Sequence, residues 1–403
     1  MKKIFKIIII QFLTIFLFAN IYVYADDIDE ELDFDNQNIT VSVDSSKPVI
    51  NSKRYAVYDR MSGTVVYGLD ENKESAMAST TKIMTSIIVL ENVENLNEIV
   101  TINKDAAMTY GSRLGLKQND KLSVNDLLYG LMLRSGNDAA VALALHVSDS
   151  IEEFAKLMNE KAEELKLVHT HFVTPNGLDN PDHYSTAFEL AKLTDYALKN
   201  SKFCEIVKSK FANITINGVN KQIKNTNELL FTSMDGIYGV KTGFTFNAGR
   251  CLISAIKKNN MDLIIVVLGA DTRKDRANDS IKLMNYVLNH YYVEDIESKV
   301  NEQFKLWKEI NLNRIFINKA QNKLNLSLNN IDIKKIVTNN DISIEINSLY
   351  YLDAPIKIGD KIGNLVVKKG DSIIEIIDIV SSVQVDKNNI WDYFNLFAKS
   401  ICL

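Results

Sequence analysis

The spacing of apolar residues changes several times along the chain, and each change falls at a glycine, asparagine or charged cluster. Tyr55-Ala56-Val57-Tyr58 and Thr64-Val65-Val66-Tyr67 flank Arg60-Met61-Ser62-Gly63, which predicts a strand, a tight turn and a returning strand. Residues 78–90 open on the polar run Ala78-Ser79-Thr80-Thr81-Lys82 and continue through Ile83 to Leu90 with almost no solvent face. That pattern predicts a buried helix carrying a serine in its first turn. Ser123-x-x-Asp126 reads as a capping box for a helix with Leu127, Leu128, Leu131 and Met132, which stops at Arg134-Ser135-Gly136-Asn137. A second apolar helix runs from Asp138 to Val147. A third opens at Ser150-x-x-Glu153, with Phe154, Leu157, Met158, Ala162 and Leu165 on one face, and a fourth at Thr186-x-x-Glu189.

Strand character returns at Ile237-Tyr238-Gly239-Val240, which leads into Lys241-Thr242-Gly243. Residues 251–256 and 263–268 follow, joined through Lys257-Lys258-Asn259-Asn260 as antiparallel neighbours. An amphipathic helix over 279–288 closes the section. The predicted fold class is an α/β sandwich whose strands and last helix flank an all-helical subdomain. Beyond Val293, strict alternation in 324–328, 342–346 and 374–376 predicts a small separate all-β domain. The tail places Ile390, Trp391, Phe394, Phe397, Ala398 and Ile401 on one helical arc opposite Asp392, Asn395 and Lys399, an amphipathic helix suited to lying in a membrane surface.

Composition adds the compartment. Lys2, Lys3 and Lys6 precede the apolar run Ile7 to Phe18, and Val23-Tyr24-Ala25 supplies small residues at a cleavage position, so residues 1–25 read as a secretory signal peptide. Residues 26–51, rich in Asp, Glu, Asn and Ser, read as an acidic flexible linker. The expected divisions are then a mixed α/β domain over 52–293, a β domain over 294–385 and a membrane-associating helix over 386–403. With 403 residues, 46% hydrophobic content and a net charge of -5, the chain is globular and lacks the basic footprint of a nucleic-acid binder. Three scattered cysteines make no disulfide framework, and no His/Cys cluster suggests a metal or other cofactor. His183, a lone loop histidine, reads as a structural hydrogen-bonding residue.

Three polar clusters remain. On a helix Lys82 lies on the face of Ser79, so an amine stands beside a hydroxyl, and both burial and the helix N-terminus disfavour a protonated Lys82. Ser135-Gly136-Asn137 falls between two helices, and Lys241-Thr242-Gly243 on a strand. This trio, in this order, characterises penicillin-binding proteins and serine β-lactamases. With Thr174-Pro175-Asn176-Gly177-Leu178, His183-Tyr184-Ser185-Thr186, Gly239-Val240, Phe244-Thr245 and Ala248-Gly249, the sequence resembles the low-molecular-mass penicillin-binding proteins that act as serine-type D-alanyl-D-alanine carboxypeptidases. Ala354 to Gly359 with Gly363 resembles that family's C-terminal β domain.

The resemblance implies that Ser79 attacks the carbonyl between two terminal D-alanines of a peptidoglycan stem peptide, with Lys82 as proton acceptor and Ser135 relaying the proton to the leaving amine. It implies that Asn137 binds the substrate backbone, that Lys241 and Thr242 face the terminal carboxylate, and that the N–H groups of Ser79 and Phe244 form an oxyanion hole which Gly243 lets the strand approach. β-Lactam antibiotics are then expected as covalent inhibitors, and the outer face of the cytoplasmic membrane as the site of attachment through the C-terminal helix. The rival activities are a serine β-lactamase, a peptidoglycan endopeptidase or transpeptidase, and a non-catalytic cell-wall scaffold. Between Asn137 and Lys241 there is no Glu-x-x-Leu-Asn pattern of the class A β-lactamases.

Overall fold

A computed structural model describes residues 47–320 and 323–394; the signal peptide, linker residues 26–46 and the tail positions Phe397, Ala398 and Ile401 lie outside the described residues. Val49 and Asn51, placed in the linker by sequence, are exposed but already tied down through their backbones. Lys282 Nζ donates to the Val49 carbonyl at 2.8 Å, and Asp279 Oδ2 accepts the N–H groups of Asn51 and Ser52 at 3.0 and 2.8 Å.

Strands β1 (Arg54–Asp59) and β2 (Thr64–Leu69) form the expected hairpin. The chain then enters the helical subdomain, which holds α1 (Lys82–Asn92), α2 (Lys104–Met108), α3 (Val124–Leu133), α4 (Asn137–Val147), α5 (Ile151–Glu164), α6 (Ala187–Ala197) and α7 (Ser201–Lys208). Two short hairpins brace it: β3 (Ile99–Thr101) with β4 (Lys121–Ser123), and β5 (Phe211–Ile216) with β6 (Val219–Lys224). Strands β7 (Ile237–Thr245), β8 (Gly249–Lys258) and β9 (Met261–Ala270) complete an antiparallel sheet ordered β2-β1-β9-β8-β7. Helix α8 (Arg273–His290) begins earlier than its apolar period predicts, because Thr272 caps it by accepting the Asp275 N–H at 3.0 Å.

Strand β9 shows why this sheet reads as a continuous apolar run. Ile264, Val266 and Leu268 face the core shared with the helical subdomain, whereas Leu263, Ile265 and Val267 face the core under α8. Both faces are covered, so alternation disappears. Helix α1 sits inside the first of these cores, its residues Lys82 to Val89 all buried. It carries Lys82, Thr85 and Ser86 into that core as buried polar side chains.

Strand β10 (Tyr292–Asp295) leads out of this unit, and helix α9 (Ile296–Asn311) follows. The β domain expected over 294–385 is therefore not all-β: Ile296, Val300 and Phe304, one turn apart, bury α9 against its sheet. The remaining strands are β11 (Phe316–Asn318), β12 (Leu326–Leu328), β13 (Lys335–Thr338), β14 (Ile342–Ser348), β15 (Tyr351–Asp353), β16 (Lys361–Lys369) and β17 (Ser372–Ser381). Four of them form a sheet ordered β12-β17-β16-β14. This unit is tied to the first by the β10–β13 pairing and by Val337, whose N–H donates to the buried Asp59 carboxylate at 3.0 Å.

Candidate active site

Ser79 is not in the first turn of an α-helix as the sequence suggests, but in a 3₁₀ turn, Ala78–Thr81, that feeds α1. Ala78 holds φ at +48°, a left-handed conformation that costs a non-glycine residue of order 1 kcal/mol. Two buried hydroxyls hold the turn in place: Thr80 Oγ1 donates to the Met77 carbonyl at 2.6 Å and Thr81 Oγ1 to that of Ala78 at 2.8 Å. The turn is tight enough to leave Ser79 partly exposed while Lys82, three residues on, is fully buried.

Lys82 Nζ lies 2.7 Å from each of three oxygens: Ser79 Oγ, Asn137 Oδ1 and the Asn176 carbonyl. Burial drives its pKa well below that of an ordinary lysine, the nearby Lys241 ammonium pushes the same way, and the Asp138 carboxylate opposes them. A neutral amine has two N–H groups and one lone pair. Of the three partners only the Ser79 hydroxyl has a proton to give, so the neutral state orients the Ser79 O–H toward Nζ.

Ser135 and Asn137 arrive from the junction of α3 and α4. The Gly136 N–H donates to the Gly130 carbonyl at 3.1 Å, a helix-ending bond that puts Ser135, with φ +57°, at the left-handed position usually given to glycine. Asn137 opens α4 with its amide engaged at both ends, accepting from Lys82 and donating from Nδ2 to the Tyr110 carbonyl at 2.7 Å. Its side chain thus positions the amine, a contact the sequence reading does not anticipate. Next to it Asp138, wholly buried, accepts four backbone N–H groups, from Leu114, Gly115, Leu116 and Ala139. Nothing in the sequence marks this residue beyond its place in a helix's first turn.

The opposite wall is β7. A Cβ built on Gly243 would stand 3.1 Å from the Ser79 nitrogen and 3.2 Å from Ala78 Cβ, so a glycine is what lets the strand lie against the Ser79 N–H. Lys241 is buried, its Nζ donating to the Thr242 carbonyl at 2.8 Å, and Thr242 Oγ1 shares a 2.9 Å hydrogen bond with Thr226 Oγ1. The Phe244 ring is covered by the Arg250 guanidinium, 3.8 Å from its centroid. Behind this wall the buried Arg276 binds Glu228 with two nitrogens at 3.1 and 3.0 Å, another pair that sequence reasoning missed. The structure therefore gathers Ser79, Lys82 and Asn137 into one hydrogen-bonded group, sets Gly243 against it, and brings Ser135 to the turn beside it.

The profile of the peptidase S11 family, D-alanyl-D-alanine carboxypeptidase, matches residues 41–272. The chain belongs to this family. The D-alanyl-D-alanine carboxypeptidase DacF of Bacillus subtilis is 32% identical over 334 residues, covering 80% of this chain and 83% of that protein. Penicillin-binding protein 5 of Haemophilus influenzae is structurally similar with a TM-score of 0.69 at 26% identity, over 85% of this chain and 99% of the other. The Streptomyces K15 DD-transpeptidase aligns with a TM-score of 0.57 at 36% identity, over 60% of this chain and 98% of its own. Family membership makes the protein a serine-type D-alanyl-D-alanine carboxypeptidase of cell-wall metabolism with the mixed α/β fold of the penicillin-binding proteins. A carboxypeptidase of this kind needs a nucleophile, a base, an anion site and an oxyanion hole, and the elements above offer a candidate for each.

Proposed function

We propose that the enzyme removes the terminal D-alanine of peptidoglycan stem peptides through an acyl-enzyme on Ser79. The observation that carries this reading is the buried amine of Lys82, 2.7 Å from Ser79 Oγ, with its pKa driven down. Ser79 Oγ attacks the penultimate carbonyl as its proton passes to Lys82 Nζ. The oxyanion is received by the N–H groups of Ser79 and Phe244, an arrangement worth about 3–4 kcal/mol per donor. Collapse expels D-alanine, whose amine takes a proton relayed through Ser135, and water then hydrolyses the ester. Lys241 and Thr242 supply a cation and a hydroxyl for the terminal carboxylate. β-Lactams enter the same cycle and stop at the acyl stage.

A pentapeptide ending in D-Ala-D-Ala should release D-alanine, and Ser79→Ala should abolish both that release and labelling by a fluorescent penicillin; labelling that survives removes Ser79 as nucleophile. The likeness to a DD-transpeptidase supports a second outcome at the acyl-enzyme, capture by an amine, which appears as a cross-linked product when an acceptor peptide is added.

The enzyme's place is the outer face of the cytoplasmic membrane, reached through the leader and held by the C-terminal amphipathic helix. Ile390, Trp391 and Phe394, at 68%, 73% and 62% exposure, start that helix with apolar side chains in solvent, although among the described residues no helix is long and apolar enough to cross a membrane. Deleting residues 388–403 from the leaderless protein should abolish pelleting with anionic vesicles, and unchanged pelleting refutes the anchor.

A further inference from the structure

His183 lies outside the catalytic trio, yet both of its ring nitrogens work. Nδ1 accepts the backbone N–H of Val173 at 2.9 Å and is approached by that of Thr174 at 3.3 Å. With two donors on Nδ1, the ring proton must sit on Nε2, which lies 2.8 Å from Thr81 Oγ1. The single Thr81 proton is already given to the Ala78 carbonyl, so Oγ1 accepts from the imidazole. The chain of donors is closed and has one direction: Val173 N–H to His183, His183 to Thr81, Thr81 to the carbonyl of strained Ala78, the residue before the nucleophile.

The loop on the other side of the ring carries the second half of the site. Residues 173–177 bring the Pro175 carbonyl to Thr85 Oγ1 at 2.5 Å and the Asn176 carbonyl to Lys82 Nζ at 2.7 Å, both on α1. Gly177, with φ +83°, lies so close over the nucleophile turn that a Cβ there would fall 2.0 Å from the Ala78 oxygen. One buried imidazole therefore joins the turn that aims Ser79 to the loop that aims Lys82.

We propose that His183 is a positioning residue for acylation, clamping the Ala78–Thr81 turn to the Val173–Asn176 segment so that Ser79 Oγ and Lys82 Nζ stay at hydrogen-bond distance. It touches neither substrate nor reacting atom, and it acts through Thr81 on one side and Asn176 on the other. Catalytic geometry tolerates little slack, since a displacement of about 1 Å costs on the order of a hundredfold in rate. A clamp of this kind governs the chemical step and leaves the carboxylate-binding wall of β7 alone, so kcat should fall while KM holds.

The proposal rests on the acyl-enzyme reading above, and its test separates the two. Acylation by a fluorescent penicillin and D-alanine release are measured for the wild type, Thr81→Val, His183→Ala and His183→Gln, each normalised to sites titrated at long labelling times. Thr81→Val keeps shape and volume while removing the link, and at temperatures below melting it should acylate roughly tenfold or more slowly with KM within about twofold of wild type. His183→Gln, whose amide can accept and donate, should recover part of what His183→Ala loses. Folded Thr81→Val and His183→Gln proteins that both acylate at the wild-type rate overturn the clamp, as does a loss confined to KM. Failure of the wild type itself to label or to release D-alanine overturns the acyl-enzyme reading instead.

Discussion

Replacing Asp138 by asparagine separates two effects that one carboxylate exerts. Its Oδ1 accepts from Leu114 and Ala139, both at 2.9 Å, and its Oδ2 from Gly115 at 2.9 Å and Leu116 at 3.0 Å. An amide has a single oxygen, so whichever way it turns, two of the four N–H groups face an NH2 that cannot accept. Each buried donor left in that state costs about 1–3 kcal/mol, which puts the loss at about 2–6 kcal/mol, a large share of a typical total of about 5–15. Urea denaturation reads this directly. The second effect is on Lys82, whose pKa the Asp138 charge raises against burial and Lys241. Removing the charge lowers that pKa further, and with the neutral amine as the proposed base, the acid limb of the acylation rate should move to lower pH. Lys241→Gln removes the opposing cation and should move the same limb to higher pH, besides weakening substrate binding. Stopped-flow labelling by a fluorescent penicillin, at a temperature where each variant is folded, supplies the profiles. A stability loss under about 1 kcal/mol refutes the loop-anchoring role. Limbs that stay in place or move in the same direction refute Lys82 as the titrating base.

Other substitutions test the walls of the site. Gly243→Ala pushes a methyl to 3.1 Å from the Ser79 nitrogen, which calls for a shift of a few tenths of an ångström, and should lower the acylation rate by less than the roughly hundredfold of a displacement of about 1 Å, with thermal stability changed far less; a wild-type rate shows that β7 does not set the oxyanion geometry. Arg276→Met leaves Glu228 buried without its cation and should cost about 3–5 kcal/mol in chemical denaturation. Adding Glu228→Gln to that variant should recover part of the loss, and a double variant no better than the single one argues against charge burial as the cause.

What could be read in the sequence is what depends on near neighbours in the chain. Lys82 follows Ser79 by three positions, so a turn of either helical type sets them side by side, and the trio's residue types name its chemistry. The order of apolar runs marked the β1–β2 hairpin, the neighbouring strands β8 and β9 and the helices between, whereas the joining of β1 to β9 in one sheet came only with the structure. What was missed lies across the fold: Asn137 is 55 residues from the amine it holds, the Asn176 carbonyl is 94 away, and His183 is 102 from Thr81. No local period reports such contacts. Helix α9 is a different kind of miss, since Ile296, Val300 and Phe304 have helical spacing that the alternating strands beyond it overshadowed, so the domain was read as all-β.

The three oxygens around Lys82 also bear on why the amine is buried where it is. In the proposed mechanism, before attack, a neutral Nζ accepts the Ser79 O–H on its lone pair and spends its two N–H groups on Asn137 and Asn176. Once the proton has moved, the same nitrogen has three N–H groups, and three acceptors already stand at 2.7 Å: the two it had and the Ser79 oxygen, which now carries the developing negative charge or the new bond. No group must turn to receive the charge that burial made expensive. The site is thus matched to the lysine after proton transfer, so part of its stabilisation is felt only as the transition state is approached, which is the condition for an interaction to accelerate the step. Asn137→Ala should accordingly depress acylation more than binding, lowering kcat with KM little changed. An Asn137→Ala protein that loses only KM would return that side chain to the substrate-binding role the sequence suggests.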